Sequence, residues 1–290
     1  MEQAHRVRRV QGHSRGGRPI TLGVFDSGVG GLSVLRDLQA LMPNLPLVYV
    51  SDNAFAPYGE REVKTIQERT HKVTEYLRQD CDIKALVIAC NTATAHAIDA
   101  LRASHPDLPI IGVEPALKPA AALSASGHVG VMATRRTLGS DRYHRLQRQV
   151  ETQSTRPLHF WSQPCDGLAD AIENNRLDDV QRLCDRYVSE LFSVGPQMSG
   201  IDTVVLGCTH YPFAMDALQK AAAKRPVRFL DTGIPVAKRT RDVLGPLLEG
   251  IDPGYRSPQP TLLTTGDEVG MGLAAQRWIH PSLSAQKVRI

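Results

Sequence analysis

Two stretches decide the fold: KALVIACNTATAH (residues 84–96) and DTVVLGCTHYPF (residues 202–213). Each is a continuous apolar run that ends in a cysteine and leads into a helix-forming segment. Continuous rather than alternating apolar runs are expected of strands covered on both faces. The same form recurs at TLGVFDSGVGG (21–31), LVYVSDN (47–53), LPIIGVEPALKPAA (108–121), HVGVMATRRT (128–137) and VRFLDTGIPVAKR (227–239). Between them, Gly31–Leu41, Val63–Leu77 and Leu177–Leu191 carry helical apolar spacing. Strands alternating with helices predict an α/β fold with mainly parallel sheets and helical crossovers.

The order also repeats. A Gly-Val strand from Gly23, a strand leading to Cys90 and a Pro-initiated strand ending at Glu114 are followed by a Gly-Val strand from Gly130, a strand leading to Cys208 and a Pro-initiated strand ending at Asp231. The offsets are 107, 118 and 117 residues. This predicts two pseudo-symmetric α/β domains. Ligands in open α/β sheets sit beyond the carboxyl ends of the strands and favour interfaces between domains. Cys90 and Cys208 each stand at such an end, so the active site is expected in the cleft between the two units.

The chain has 290 residues, 42% of them hydrophobic and 22% charged, as in soluble globular proteins of about two domains. The net charge of +4 resides in residues 1–19, where Arg6, Arg8, Arg9, Arg15 and Arg18 face only Glu2. Beyond it, 29 basic residues balance 29 acidic ones, which gives no reason to expect a nucleic-acid-binding body. Residues 1–19 are polar and without hydrophobic period; they read as a disordered basic tail, with a transit peptide or a weak nucleic-acid contact as alternatives. No apolar run long enough for a membrane helix and no secretory signal is present, so a cytoplasmic setting is expected. The five cysteines (Cys81, Cys90, Cys165, Cys184 and Cys208) are odd in number and include no CxxC pair, which argues for free thiols rather than disulfides or zinc.

Cys81, Cys165 and Cys184 read as small buried hydrophobes. Cys90 and Cys208 differ, because each precedes a helix start whose free N–H groups favour a thiolate and so predict a depressed pKa. Two opposed thiols suit racemisation: one takes a proton from a carbon and the other returns one to the opposite face. The Gly-rich segment from Gly23 to Gly31 lacks dinucleotide spacing, and Asp26 would repel a pyrophosphate; Asp26 and Ser27 instead offer a carboxylate and a hydroxyl to the cleft. Asp52-Asn53 and Pro57-Tyr58-Gly59 read as a strand end and a turn whose backbone amides can hold a carboxylate. His210, two residues after Cys208, can polarise that thiol or bind substrate.

These motifs, GVFDSGVGGLSVL, APYGER, VIACNTATA, GVEPALKPA, LGCTHYPF, LDTGIPVA and TTGDEVG, appear in one order from Thr21 to about Ile279. In this the chain resembles the glutamate racemases of the aspartate/glutamate racemase superfamily. The resemblance implies two α/β domains, residues 20–115 with 230–290 and residues 116–229. It implies Cys90 as acid/base toward D-glutamate, assisted by Asp26, and Cys208 toward L-glutamate, assisted by His210. Asp26, Ser27, Pro57, Tyr58, Gly59, Asn91, Thr92, Thr209 and His210 would bind substrate. Glu173 is a further candidate carboxylate at the family's spacing, although Asp166 and Asp170 depart from its more apolar segment there. No cofactor or metal is implied. The setting would be the bacterial cytoplasm, with D-glutamate supplied for peptidoglycan synthesis by a homodimer. Where superfamily members preferring aspartate carry an acidic residue after Cys-Thr, this chain has His210, which favours glutamate. A related aspartate racemase and a non-catalytic amino-acid-binding protein are the alternatives.

Overall fold

The computed structural model describes residues 20–193, 200–223, 225–249 and 255–290. The basic segment 1–19, expected to be a disordered tail, lies outside the described residues. In chain order the elements are β1 (Thr21–Asp26), α1 (Leu32–Leu41), β2 (Leu47–Ser51), α2 (Val63–Gln79), β3 (Ile83–Ile88), α3 (Asn91–Ser104), β4 (Ile110–Gly112) and α4 (Leu117–Leu123). There follow β5 (His128–Ala133), α5 (Arg135–Leu138), α6 (Asp141–Gln153), β6 (His159–Pro164), α7 (Leu168–Glu173), α8 (Leu177–Ser193), β7 (Ile201–Leu206), α9 (Met215–Ala221) and β8 (Arg228–Leu230). The described chain closes with α10 (Gly233–Leu248), β9 (Thr261–Thr264), α11 (Glu268–Trp278) and β10 (Ala285–Lys287).

The strands form two sheets, of order β10-β9-β2-β1-β3-β4 and β6-β5-β7-β8. Every pairing is parallel. The internal repeat is visible in the topology, since β2-β1-β3-β4 reappears as β6-β5-β7-β8. It extends to an irregularity: the register slips between Thr21 and Leu22 against β3, and between His128 and Val129 against β7. β9 and β10 then extend the first sheet beyond β2.

The strands are shorter than their apolar runs predict. β4 stops at Gly112 rather than Glu114, β8 at Leu230, and β3 and β7 at Ile88 and Leu206. The ladders close with single bonds from Ala89 N–H to the Phe25 carbonyl and from Gly207 N–H to the Met132 carbonyl, both 2.7 Å. The backbone then turns into helices, which leaves Cys90 and Cys208 two residues past the ends of β3 and β7.

Each sheet is covered on both faces. Leu22, Val24 and Tyr49 pack toward α1, α10 and α11, while Phe25, Val50 and Ile88 pack toward α2 and α3. In the second sheet, Met132, Val204 and Leu206 meet α7, α8 and α9, and Val129, Val131 and Val205 meet α4 and α6. Among the described residues, no helix is long and apolar enough to cross a membrane.

Candidate active site

The carboxyl ends of the two sheets meet, and polar side chains join them. Thr209 Oγ1 donates to Asp26 Oδ2 at 3.1 Å, and Ser33 Oγ donates to the Thr209 carbonyl at 3.0 Å. Thr92 Oγ1 lies 3.1 Å from Thr134 Oγ1 and 3.3 Å from Thr137 Oγ1. Val29 N–H donates to Glu173 Oε2 at 2.8 Å, and the Asn53 amide donates to Glu173 Oε1. Asp26, Ser27, Asn91, Thr92, Thr209 and His210 are all buried there, as are both thiols.

The two cysteines are backed by comparable relays. Cys90 Sγ donates to Ser27 Oγ at 3.7 Å, and Ser27 Oγ donates to Asp26 Oδ1 at 3.4 Å. Cys208 Sγ lies 3.7 Å from His210 Nδ1, and His210 Nε2 lies 2.6 Å from Glu173 Oε2. Each thiol therefore reaches a carboxylate through one intermediate polar group. Glu173, separated by 144 residues from Val29 and 120 from Asn53, is drawn into the site by both. It lies at the end of α7, whose start is set by Gly167 at φ 76°, a left-handed conformation that glycine adopts without strain.

Close approach explains two glycines of the Gly-rich loop. A Cβ at Gly28 would stand 2.1 Å from Glu173 Oε2, and one at Gly30 would stand 2.3 Å from His210 Nδ1. The loop that resembles a nucleotide cradle instead admits an acid and an imidazole from the other sheet.

Charge in the site is governed by burial. Burial drives the Asp26 carboxyl up to about 6, against His210, the Ser27 N–H and Cys90, which favour its charged form. For Cys90 the expectation of a depressed pKa is corrected. Burial, followed by the charge of Asp26, pushes the thiol well above its ordinary range; the Ala93 N–H, 3.4 Å away at the start of α3, and Ser27 only moderate this. A helix N-terminus does not overcome full desolvation beside a carboxylate. His210 goes the other way: burial lowers its pKa, but bonds to Cys208 and Glu173 and their charges raise it well above the usual imidazole range.

The Pro57-Tyr58-Gly59 turn reaches the site, with a difference. The Tyr58 hydroxyl is committed to Asp52 Oδ2 at 2.6 Å, so only the backbone of the turn is available to a ligand. Gly59 abuts the second sheet, where an added Cβ would lie 2.7 Å from Thr134 Cγ2. Neither side-chain polar atom of Asn91 has a hydrogen-bond partner among the described residues. Asn91 lines a narrow cleft with Thr94, Glu114, Thr137, Arg142 and Tyr143. Thr134 and Thr137 escaped the sequence reading, and Asn53 entered it only as part of a turn. For Thr134 a signal existed: it lies 107 residues after Ser27, the offset that relates Gly23 to Gly130. Cys165 is buried and donates to the Gln163 carbonyl at 3.3 Å, in keeping with a structural thiol.

A grouping of His71, Glu75 and His105 stands at the other end of α3 from Cys90. Arg78 Nη1 contacts His105 Nδ1 at 2.7 Å. A guanidinium can only donate, so the proton of the neutral ring sits on Nε2, 3.3 Å from Glu75 Oε1. The adjacent positive charge of Arg78 disfavours a bound cation there.

The family model for Asp/Glu/hydantoin racemases matches residues 31–238. The chain belongs to the Asp/Glu/hydantoin racemase family. As a member it is an isomerase, an amino-acid racemase. Similar proteins of this racemase family include the glutamate racemase of Cupriavidus pinatubonensis, 41% identical over 275 residues that cover 94% of this chain and 96% of the relative. That of Ectopseudomonas mendocina is 45% identical over 226 residues, covering 77% and 82%. Among solved structures, a glutamate racemase isoform from Bacillus anthracis superposes with a TM-score of 0.81 at 30% identity, covering 93% of this chain and 98% of that one. Escherichia coli glutamate racemase in complex with L-glutamate and the activator UDP-MurNAc-Ala gives 0.76 at 30% identity, with the same coverage.

Proposed function

We propose that this racemase interconverts L- and D-glutamate by a two-thiol mechanism without a cofactor. The observation that carries the reading is the paired relay: Cys90–Ser27–Asp26 and Cys208–His210–Glu173, set at equivalent strand ends of a repeated unit. With residues 20–115 and 230–290 as one domain and 116–229 as the other, the substrate lies between them.

With L-glutamate, the Cys208 thiolate takes the α-proton while Cys90, a thiol at rest, delivers its own to the opposite face. The C–H bond breaks toward Cys208 and the new one forms from Cys90, so Cys90 ends as thiolate and Cys208 as thiol. D-glutamate runs the same steps in reverse. Protonated His210 beside Cys208 stabilises negative charge on that sulfur, and Glu173 stabilises the imidazolium. Proximity in a water-poor cleft and preorganised donors lower the barrier to the carbanion. Ser27, Asn91, Thr92, Thr209 and the backbone of Pro57-Tyr58-Gly59 are assigned to the substrate's amino and carboxylate groups. Glutamate, rather than aspartate, is favoured by His210 after Cys208-Thr209 and by the relatives. We further assign the enzyme to the bacterial cytoplasm, as a homodimer supplying D-glutamate for peptidoglycan, with no nucleic-acid role.

The test is proton NMR of the purified enzyme with L-glutamate in D₂O, beside a tube with L-aspartate and no added cofactor. Loss of the Cα–H signal with formation of D-glutamate, and little change in aspartate, is expected. Exchange on aspartate alone would transfer the reading to an aspartate racemase, and silence in both tubes would sink it.

A further inference from the structure

The segment from Asn53 to Glu60 contains only two single turns of 3₁₀ helix, yet three of its residues touch the site. The Asn53 amide bonds Glu173. The Tyr58 ring packs in the cluster that contains Cys90, edge-on to Phe25 at 6.1 Å. Gly59 seats against Thr134. Fixing this segment is a buried ion pair that the proposed chemistry does not use.

Asp52 is completely buried and its two oxygens accept four bonds. Arg69 Nε and Nη2 donate at 2.9 and 2.8 Å, the Tyr58 hydroxyl at 2.6 Å and Thr265 Oγ1 at 2.9 Å. The Arg69 guanidinium lies 4.1 Å from the Phe55 ring centroid, and its Nη1 donates to the Ile290 carbonyl at 2.9 Å. Burial and the adjacent carboxylate keep the proton on Tyr58, so the phenol remains a donor. Asp52 at the head of the segment, Phe55 and Tyr58 are thus joined by a single fork-to-fork pair.

We propose that Asp52 and Arg69 are positioning residues that hold the Pro57-Tyr58-Gly59 backbone where it binds a substrate carboxylate, an inference that rests on the glutamate racemase reading. Neither side chain touches the reacting atoms. Backbone amides held this way bind ground state and transition state alike, so loosening them raises KM and spares kcat.

The experiment compares Asp52→Asn and the milder Tyr58→Phe with wild type and with Arg78→Met. Arg78 lies on the same helix, pairs with Asp107 and serves as the structural control. We expect KM for glutamate to rise about tenfold in both variants, with kcat within about threefold and equal effects in both directions. Amide exchange at residues 58–60 should quicken in the same variants, and Arg78→Met should move neither readout. An unchanged KM, or a fall in kcat at constant KM, in folded Tyr58→Phe overturns the proposal. So does unchanged exchange at 58–60, a readout that needs no turnover. Wild-type enzyme inert toward glutamate would instead strike the function, leaving the exchange result to decide the positioning role.

Discussion

Replacing Glu173 by Gln probes the Cys208 relay most directly. The carboxylate accepts from Val29 N–H at 2.8 Å and from Asn53, and faces His210 Nε2 at 2.6 Å with its side chain only 6% exposed. An amide at this position preserves size and one acceptor, so the contact with the Gly-rich loop survives. The charge is lost, and with it a charge-assisted bond to the imidazolium of about 1.5–3 kcal/mol. The same charge raises the His210 pKa, so its removal depletes the imidazolium that supports a thiolate on Cys208. At about 1.4 kcal/mol per factor of ten, kcat/KM is expected to fall by roughly 10- to 150-fold. Because the two enantiomers are equal in free energy, the fall must be the same from L and from D. Circular dichroism of the amino acid, started from each enantiomer, measures it, and the melting temperature checks the fold. A folded Glu173→Gln enzyme retaining more than a third of wild-type kcat/KM would falsify the role given to this carboxylate.

Cys90→Ala and Cys208→Ala should each lower racemisation by at least about a thousandfold while leaving the far-ultraviolet spectrum unchanged, because a single base returns its proton to the face it came from; near-normal turnover in either refutes the two-thiol scheme. Gly30→Ala places a Cβ 2.3 Å from His210 Nδ1 and 2.7 Å from Thr209 Oγ1, and should destabilise the fold by about 1–3 kcal/mol and cut kcat/KM more than tenfold; wild-type values for both would show the contact to be slack. Asp26 has a folded pKa of about 6 against an ordinary 3.8, so the fold binds its proton more tightly than the unfolded chain does. Its contribution to stability is present below about pH 4 and declines as the pH rises toward 6, by about 3 kcal/mol in all. Asp26→Asn should therefore match or exceed wild-type stability in urea at pH 8 while losing activity, and a variant much less stable than wild type at that pH contradicts the assignment.

Most of the framework is legible in the chain. The runs ending near Cys90 and Cys208 are long enough, apolar enough and spaced regularly enough to fix two parallel sheets and their repeat, since burial on both faces imposes itself on every residue of a strand. Elements whose identity depends on distant partners are less legible. The sequence presents Asn53 as a turn residue, and only the fold brings it to Glu173, 120 positions away. The thiol of Cys90 illustrates a different limit. Its place at a helix start is local and predictable, but its pKa depends on how completely water is removed and on a carboxylate 64 positions earlier, and those reverse the local expectation. Tyr58 is similar: its phenol invites a role in binding until Asp52 is seen to claim it.

The burial of both thiols carries a consequence for the order of events. Cys90 is 5% and Cys208 7% exposed. In the proposed scheme, conversion of an L-substrate leaves the proton pattern inverted, so the protein that releases product is a different isomer from the one that bound substrate. Sealed from water, it cannot reset while the cleft stays shut. It must first open and relay a proton, or else accept a D-substrate next. In that scheme the enzyme carries a memory of its last turnover, and the expected outcome at high substrate concentration is a rate set by resetting rather than by carbon chemistry. Net flux that bends downward as both enantiomers are raised together would be the kinetic mark of that memory.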